Sequence, residues 1–281
     1  MLYKSTRGQS PEVSFSEVLL GGLAPDGGLY MPTSIPKFSI EEINNFKDLQ
    51  FHELATEILF PFIEGDIDKE VFSDLVSETY KVFEVNDVVE IVELEKNRQI
   101  LELFHGPTLS FKDFALQVVS RMFDHVLSQK GEHITVIGAT SGDTGSAAIE
   151  ACKNRQNIDL FMLHPLGRVS EVQRRQMTSV DAANIHNIAV NGTFDDCQSL
   201  VKEMFGDPRF NKELSLAAVN SINWARVMVQ VVYYYAAFMK LKNKLPTFSV
   251  PTGNFGNVYA GYVAKRTGLP SKELLVATNQ N

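Results

Sequence analysis

"HITVIGATSGDTGSAAIEACK", residues His133 to Lys153, decides how this chain folds. Its first seven residues form a short apolar run rich in β-branched side chains, which reads as a buried strand. "GATSGDTGSAA" (138–148) then turns on glycines, and "DTGSAAIEACK" continues with helical spacing. Strand, glycine turn and helix in that order are the unit from which parallel sheets are built. The order recurs downstream. "DLFMLHP" leads to "SEVQRRQMTS", "NIHNIAV" to "FDDCQSLVKEMF", and "LSLAAVN" to "SINWARVMVQVVYYYAAFMK". "TFSVPT" then leads to "FGNVYAGYVAKRTG", and "ELLVAT" is a final strand. Residues 96–281 are therefore expected to form an α/β domain, a doubly wound and mostly parallel sheet with helices on both faces. Upstream, "FSEVLLGGL", "SIEEINNF", "FHELATEILFPFI" and "DKEVFSDLVSETYKVF" have helical spacing, broken by the turn-like "LAPDGGLYMP". Residues 1–95 read as a small, mainly helical domain. No internal repeat or low-complexity stretch interrupts this order.

The chain has 281 residues, 44% apolar, 10% aromatic and 21% charged, which is ordinary for a globular protein with an ample core. Its formal charge is −8 and its pI about 5.3. With no basic block, nothing electrostatic favours nucleic acid or an anionic membrane as a partner. Cys152 and Cys197 are the only cysteines, too few for a disulfide framework or a cysteine-rich zinc site. The opening "MLYKSTRGQSPEV" lacks the apolar core of a signal peptide. The most apolar long segment, "VMVQVVYYYAAFM", carries Gln230 and three tyrosines and reads as a buried helix rather than a membrane span. A cytoplasmic protein is expected.

Two glycine-rich turns stand where this architecture places ligands. The first offers the hydroxyls of Thr140, Ser141 and Thr144 beside unencumbered N–H groups at a helix start, which is either an anion site or a simple helix cap. The second, "PTGNFGNVYAG" (251–261), repeats the pattern. Neither fits G-x-x-x-x-G-K-[ST] or G-x-G-x-x-G, so nucleoside triphosphates and dinucleotides are disfavoured. Ser141 does not sit in a G-x-S-x-G elbow, which disfavours a serine hydrolase. The six histidines show no metal-ligand spacing, and no metal is expected.

"HGPTLSFKDFALQ" (105–117) poses a different question. Phe111, Phe114, Ala115, Val118, Met122 and Val126 give an amphipathic helix, and Lys112 stands in its first turn. A helix start is electropositive, the wrong end for a cation. One reading is a surface lysine whose stem packs while its head reaches water. The other is an amine that its flanking phenylalanines and helix position make neutral, and therefore nucleophilic toward a carbonyl. With two anion-binding turns, the second reading suggests a Schiff-base lysine for pyridoxal phosphate.

"HGPTLSFKDFALQ", "GATSGDTGSAA", "AVNSINWAR" and "VPTGNFGNVYAGY", in this order and spacing, resemble the threonine synthases, in the branch with an extra N-terminal helical domain. "VSFSEVLLGGLAPDGGLYMP" is similar to that branch's opening, and the resemblance runs over essentially the whole chain. It implies a pyridoxal 5'-phosphate enzyme of the tryptophan-synthase-β fold type (fold type II), a carbon–oxygen lyase converting O-phospho-L-homoserine and water to L-threonine and phosphate. By resemblance Lys112 forms the Schiff base and shuttles protons. Gly253, Asn254, Phe255, Gly256 and Asn257 bind the cofactor phosphate. Thr140, Ser141, Gly142 and Thr144 hold the substrate carboxylate. Asp143 stands where more distant relatives use asparagine against the cofactor's phenolic oxygen, a contact that repels two anions unless one is protonated. Ser221, Asn223 and Arg226 are ligands for the substrate phosphate, with a helix salt bridge as the alternative for Arg226.

Two rivals share these residues: a threonine-synthase-like phospholyase that yields 2-oxobutyrate, and an inactive cofactor-binding fragment. The family's members continue past the point matching Asn281. The native chain is therefore expected to do so too, and residues 1–281 alone to hold the cofactor weakly.

Overall fold

The computed structural model describes residues 1–83, 85, 87–218, 223–242 and 244–279. Contacts divide the chain into two compact units, the first comprising residues 1–19, 23–105 and 222–281, the second residues 20–22 and 106–221.

The chain begins with β1 (Leu2–Ser5), β2 (Val13–Ser14), α1 (Phe15–Gly21) and β3 (Tyr30–Pro32). These strands form an antiparallel sheet of order β2-β1-β3. Next come α2 (Ile40–Asn45), α3 (Phe51–Ile63), α4 (Lys69–Tyr80) and an antiparallel hairpin of β4 (Glu90–Glu95) and β5 (Arg98–Glu102). A capping box starts α2: Ser39 accepts the Glu42 N–H, and Glu42 accepts the Ser39 N–H in return. The β1–β3 sheet is tied to α3 by Tyr3, fully buried, whose hydroxyl donates to the Phe62 carbonyl at 2.5 Å.

The second unit holds α5 (Lys112–Lys130), β6 (Ile134–Ala139), α6 (Asp143–Cys152), β7 (Ile158–Pro165) and α7 (Glu171–Thr178). It continues with β8 (Ile185–Val190), α8 (Phe194–Gly206), α9 (Pro208–Leu214) and β9 (Leu216–Ala218). Its four strands are all parallel, in the order β8-β7-β6-β9. Successive side chains leave opposite faces of a strand, and two cores follow. Val136, Leu160 and Met162 pack with Ala147, Ile149 and Leu127 of α6 and α5 on one face. Ile137, Leu163 and Phe161 pack with Cys197 and Val201 of α8 on the other. A sheet covered on both faces must read as continuous apolar runs, which is why "HITVIGA" and "DLFMLHP" show no alternation.

The chain then returns to the first unit with α10 (Trp224–Lys240), β10 (Phe248–Pro251), α11 (Gly256–Arg266) and β11 (Leu274–Ala277). β10 and β11 pair in parallel, Val250 opposite Val276, and α11 connects them. α10 is almost wholly buried and shares an aromatic cluster with α3: Trp224 lies 5.6 Å from Phe62 and 6.3 Å from Tyr3 between ring centroids. Among the described residues no helix is long and apolar enough to cross a membrane.

One side chain closes the far end of the sheet. The Asn184 amide donates to the carbonyls of Ile158 (2.8 Å) and Cys152 (2.9 Å) and, more weakly, of Arg155 (3.2 Å), while its oxygen accepts the Asn154 N–H at 3.1 Å. Asn184→Ala should destabilise the protein by about 2 kcal/mol in urea unfolding, because several carbonyls lose their donor together. A change below about 0.5 kcal/mol would show that water replaces these bonds at no cost.

Candidate active site

Lys112 is the first residue of α5, with Phe111 as N-cap, at the helix start that the spacing predicts. The neighbouring Asp113 holds it there. Asp113 is fully buried, and its carboxylate accepts the Thr108 N–H at 2.8 Å and the Thr108 hydroxyl at 2.7 Å. Gly106 lies against it, so that a Cβ at 106 would come within 2.5 Å of the Asp113 Cβ. The two halves of the motif, "HGPT" and "FKD", are thus one loop folded upon a buried anion. Burial raises the Asp113 carboxyl above the usual carboxylate range, against the lowering pull of the Thr108 donors. Sequence reasoning gave Gly106, Thr108 and Asp113 no part. The helical spacing hides Asp113, because it stands on the side of Gln117, Ser120 and Asp124, opposite Phe114, Ala115 and Val118.

The Lys112 side chain is 16% exposed. Its Nζ lies 4.6 Å from the Phe111 ring centroid and pairs with the Asp143 carboxylate. The sequence places phenylalanines and an electropositive helix start around this amine; the fold adds a counter-charge. Asp143 is the first residue of α6, where the helix dipole favours an anion. The preceding turn is built by Thr140, 2% exposed. Its Oγ1 accepts the N–H groups of Gly142 at 3.0 Å and Gly145 at 2.9 Å. A Cβ at Gly145 would fall 2.4 Å from the Thr140 methyl, so close approach requires glycine there, while Gly142 adopts φ 154°, a conformation that side chains rarely take. Thr140 is therefore committed to shaping the turn. Ser141 is exposed and Thr144 half-buried, and these carry the turn's accessible hydroxyls.

In the first unit the second glycine turn joins β10 to α11. The Thr252 N–H extends the strand ladder to Ala277 at 3.0 Å. Phe255 adopts φ 59°, a left-handed conformation that reverses the chain into the helix. Gly253, Asn254 and Phe255 are exposed, Gly256 and Asn257 half-buried. A Cβ at Gly253 or Gly256 would meet no atom within 4 Å. Thr252 Oγ1 is buried and has no hydrogen-bond partner among the described residues. A buried orphan hydroxyl, open space over two glycines and the N–H groups that head α11 fit a phosphate group. Sequence reasoning missed Thr252, although it stands directly before Gly253.

Asn223 and Arg226 belong to the start of α10. Asn223 is its N-cap: Oδ1 accepts the Ala225 N–H at 2.8 Å, and the amide donates to the Leu19 carbonyl at 3.3 Å. Both ends of its side chain thus serve the fold. Arg226 is 7% exposed, and burial pulls its guanidinium down to about 10. Ser221 lies outside the described residues.

A parallel α/β sheet with a lysine and two glycine turns at helix starts defines a class of cofactor-dependent enzyme. The chain belongs to the pyridoxal-phosphate-dependent enzymes, whose family model, described as "Pyridoxal-phosphate dependent enzyme", matches residues 100–281. Residues 2–80 match the model described as "Threonine synthase N terminus", so the resemblance drawn from the four motifs holds. The chain is 54% identical over 283 residues to the threonine synthase of Pseudomonas aeruginosa, covering 100% of this chain and 60% of that protein. It is 46% identical over 292 residues to that of Schizosaccharomyces pombe, covering 99% and 57%. The crystal structure of PLP-bound threonine synthase from Brucella melitensis matches with a TM-score of 0.96 and 52% identity, covering 99% of this chain and 61% of that one. The chain thus spans roughly three-fifths of the length of these relatives.

Thr108→Val should cost about 2 kcal/mol, since a buried carboxylate loses a charge-assisted bond. The loss should grow with pH. A carboxyl raised in the folded state contributes stability below its unfolded pKa and loses it as pH rises through the folded value. Removing a donor that lowers this pKa therefore hurts more at about pH 8 than at about pH 5. Urea unfolding at both pH values checks this; a penalty larger at the lower pH would contradict it.

Proposed function

We propose that this chain carries the lysine and the anion-binding turns of a threonine synthase, which converts O-phospho-L-homoserine and water to L-threonine and phosphate. The observation that carries the reading is Lys112, fixed at the start of α5 by the buried Asp113 and set against Asp143. The orphan hydroxyl at the second glycine turn and the likeness to proteins named threonine synthase support it.

Pyridoxal phosphate, when bound, supplies an aldehyde for an amine and a ring that withdraws electrons from the substrate's Cα. On this chain, Gly253, Asn254, Phe255, Gly256 and Asn257 hold the cofactor phosphate through N–H groups heading α11, with the Thr252 hydroxyl as a further donor. Lys112 would hold the cofactor through Nζ, and its freed amine would take the proton from the substrate's Cα. An ammonium can do neither until it sheds a proton, and the Asp143 carboxylate is the group placed to hold that proton. A protonated Asp143 would donate to the cofactor's phenolic oxygen rather than repel it. The turn shaped by Thr140 and Gly142 holds the substrate carboxylate, with Ser141 and Thr144 giving hydroxyls. Arg226 binds the substrate phosphate, with Ser221 and Asn223 beside it in sequence. Over the whole reaction Cβ gives up a proton and Cγ its phosphate, while Cγ gains a proton, Cβ the hydroxyl of water and Cα a proton in place of the one it lost, with Lys112 the residue placed to carry these protons. A cytoplasmic setting suits the two free, buried thiols, Cys152 and Cys197.

Lys112→Ala should form neither phosphate nor threonine from O-phospho-L-homoserine above background, and Lys112→Arg should fail equally because guanidinium stays protonated. Turnover by Lys112→Ala would remove the lysine from the mechanism, and 2-oxobutyrate in place of threonine would reassign the reaction to a phospholyase.

Gly253→Val should weaken pyridoxal phosphate binding roughly tenfold or more while leaving the apo-protein's melting temperature nearly unchanged, since the added side chain meets ligand space and no atom of the chain. Titration beside thermal melts checks it, and equal affinity would refute the placement of the phosphate.

A further inference from the structure

α10 is almost wholly buried, yet one side of it carries a line of polar groups. Gln230 is 7% exposed, Tyr233 2% and Tyr234 3%. All three lead to one residue of α11. The Tyr234 hydroxyl donates to the Asn257 carbonyl at 2.7 Å. The Asn257 amide donates to the Tyr233 oxygen at 3.4 Å, and the Tyr233 hydroxyl donates to Gln230 Oε1 at 3.0 Å. The Gln230 amide donates to the carbonyl of Arg226 at 3.1 Å, one turn earlier.

Buried phenols need partners, and any acceptor would satisfy that need. Two observations point past mere satisfaction. Adjacent tyrosines converge on the main chain and the side chain of a single residue, which fixes its position and its rotation. The neighbouring residues are also cut to admit the ring: a Cβ at Gly261 would fall 2.7 Å from Tyr234 Cζ, and Phe248 of β10 meets the same ring edge-on at 4.9 Å. Tyr234 is thus wedged between the strand that enters the 253–257 turn and the helix that leaves it. Residues 253–255 are exposed, and a Cβ added at Gly253 or Gly256 would meet no atom within 4 Å, so side-chain packing at these glycines does not hold the turn.

We propose that Tyr234 and Tyr233, with Gln230 behind them, are positioning residues that set the N–H groups of the 253–257 turn for the cofactor's phosphate. The inference rests on reading that turn as the phosphate site. Neither tyrosine touches the ligand. They act by fixing Asn257, the first-turn residue whose carbonyl and amide they grip, so that the N–H groups around it converge before the phosphate arrives. Pre-organisation of this kind favours the phosphate-bearing form of a ligand and leaves the rest of its binding alone.

The test uses Tyr234→Phe and Tyr233→Phe, which remove a hydroxyl and keep the ring. Each variant is titrated with pyridoxal phosphate and with pyridoxal, which lacks the phosphate, and the apo-proteins are melted. Tyr235→Phe is the control, because Tyr235 bonds Thr267 at the other end of α11 at 2.8 Å. We expect pyridoxal phosphate to bind about tenfold more weakly to Tyr234→Phe. A smaller loss is expected for Tyr233→Phe, with pyridoxal affinity unchanged in both and both ligands unchanged in Tyr235→Phe. Equal losses for the two ligands would show a merely structural role and overturn the proposal, as would no loss at all. If the unaltered protein binds pyridoxal as tightly as pyridoxal phosphate, the phosphate turn itself is misread and the proposal falls with it.

Discussion

A carboxylate shut away from water fixes where the Lys112 amine stands. Asp113 has no exposure, and a charge in that position is tolerable only while Thr108 meets it from both its N–H and its hydroxyl. The loop from Gly106 to Phe111 is consequently not free to vary. Glycine is required at 106 by the closeness of Asp113, threonine at 108 by its oxygen atoms, and the helix must begin at Lys112 because its second residue is already pinned. Raising the Asp113 carboxyl by burial is the energetic penalty of this arrangement. In return, a long flexible side chain leaves the helix from a fixed root.

The two glycine turns solve one problem in two ways. Each follows a parallel strand and starts a helix, so each presents N–H groups that have no partner inside the helix. In the first, Thr140 spends its hydroxyl on the N–H groups of Gly142 and Gly145, and Gln173 of α7 closes over Gly142. That turn is rigid from within. In the second, a Cβ on either glycine would meet no atom within 4 Å, and rigidity comes from α10 through Tyr233 and Tyr234. The difference explains why α10 combines an apolar surface with a polar line. It must be buried to serve as a support, and its phenols must bond to hold the turn.

Most of the parallel α/β architecture was legible because each of its longer strands is an apolar run followed by a glycine turn, a pattern contained within a dozen residues. β6 and β7 with their helices fall where the runs place them. The short strands β1, β2 and β3 went unread for a physical reason. Strands of two to four residues carry no period, and β1 exists through pairing with residues far along the chain, Tyr3 opposite Pro32. The site shows the same limit. Lys112 was visible as a cation at the wrong end of a helix, whereas its partner Asp143 lies 31 residues on and only the fold brings the two together. Asn223, read from its motif as a ligand, is also the N-cap of α10, a role that its motif alone does not display. Thr252 stands out through a bond that its hydroxyl lacks among the described residues, which no sequence displays.

The claim on which the account turns is that the amine of Lys112 is the one that captures an aldehyde. Incubation of the protein with pyridoxal phosphate, reduction with borohydride and mapping of the modified peptide tests it most directly. The account predicts a single pyridoxyl-labelled peptide containing Lys112, with labelling lost in Lys112→Ala. Label on another lysine, or label that survives the substitution, would contradict it.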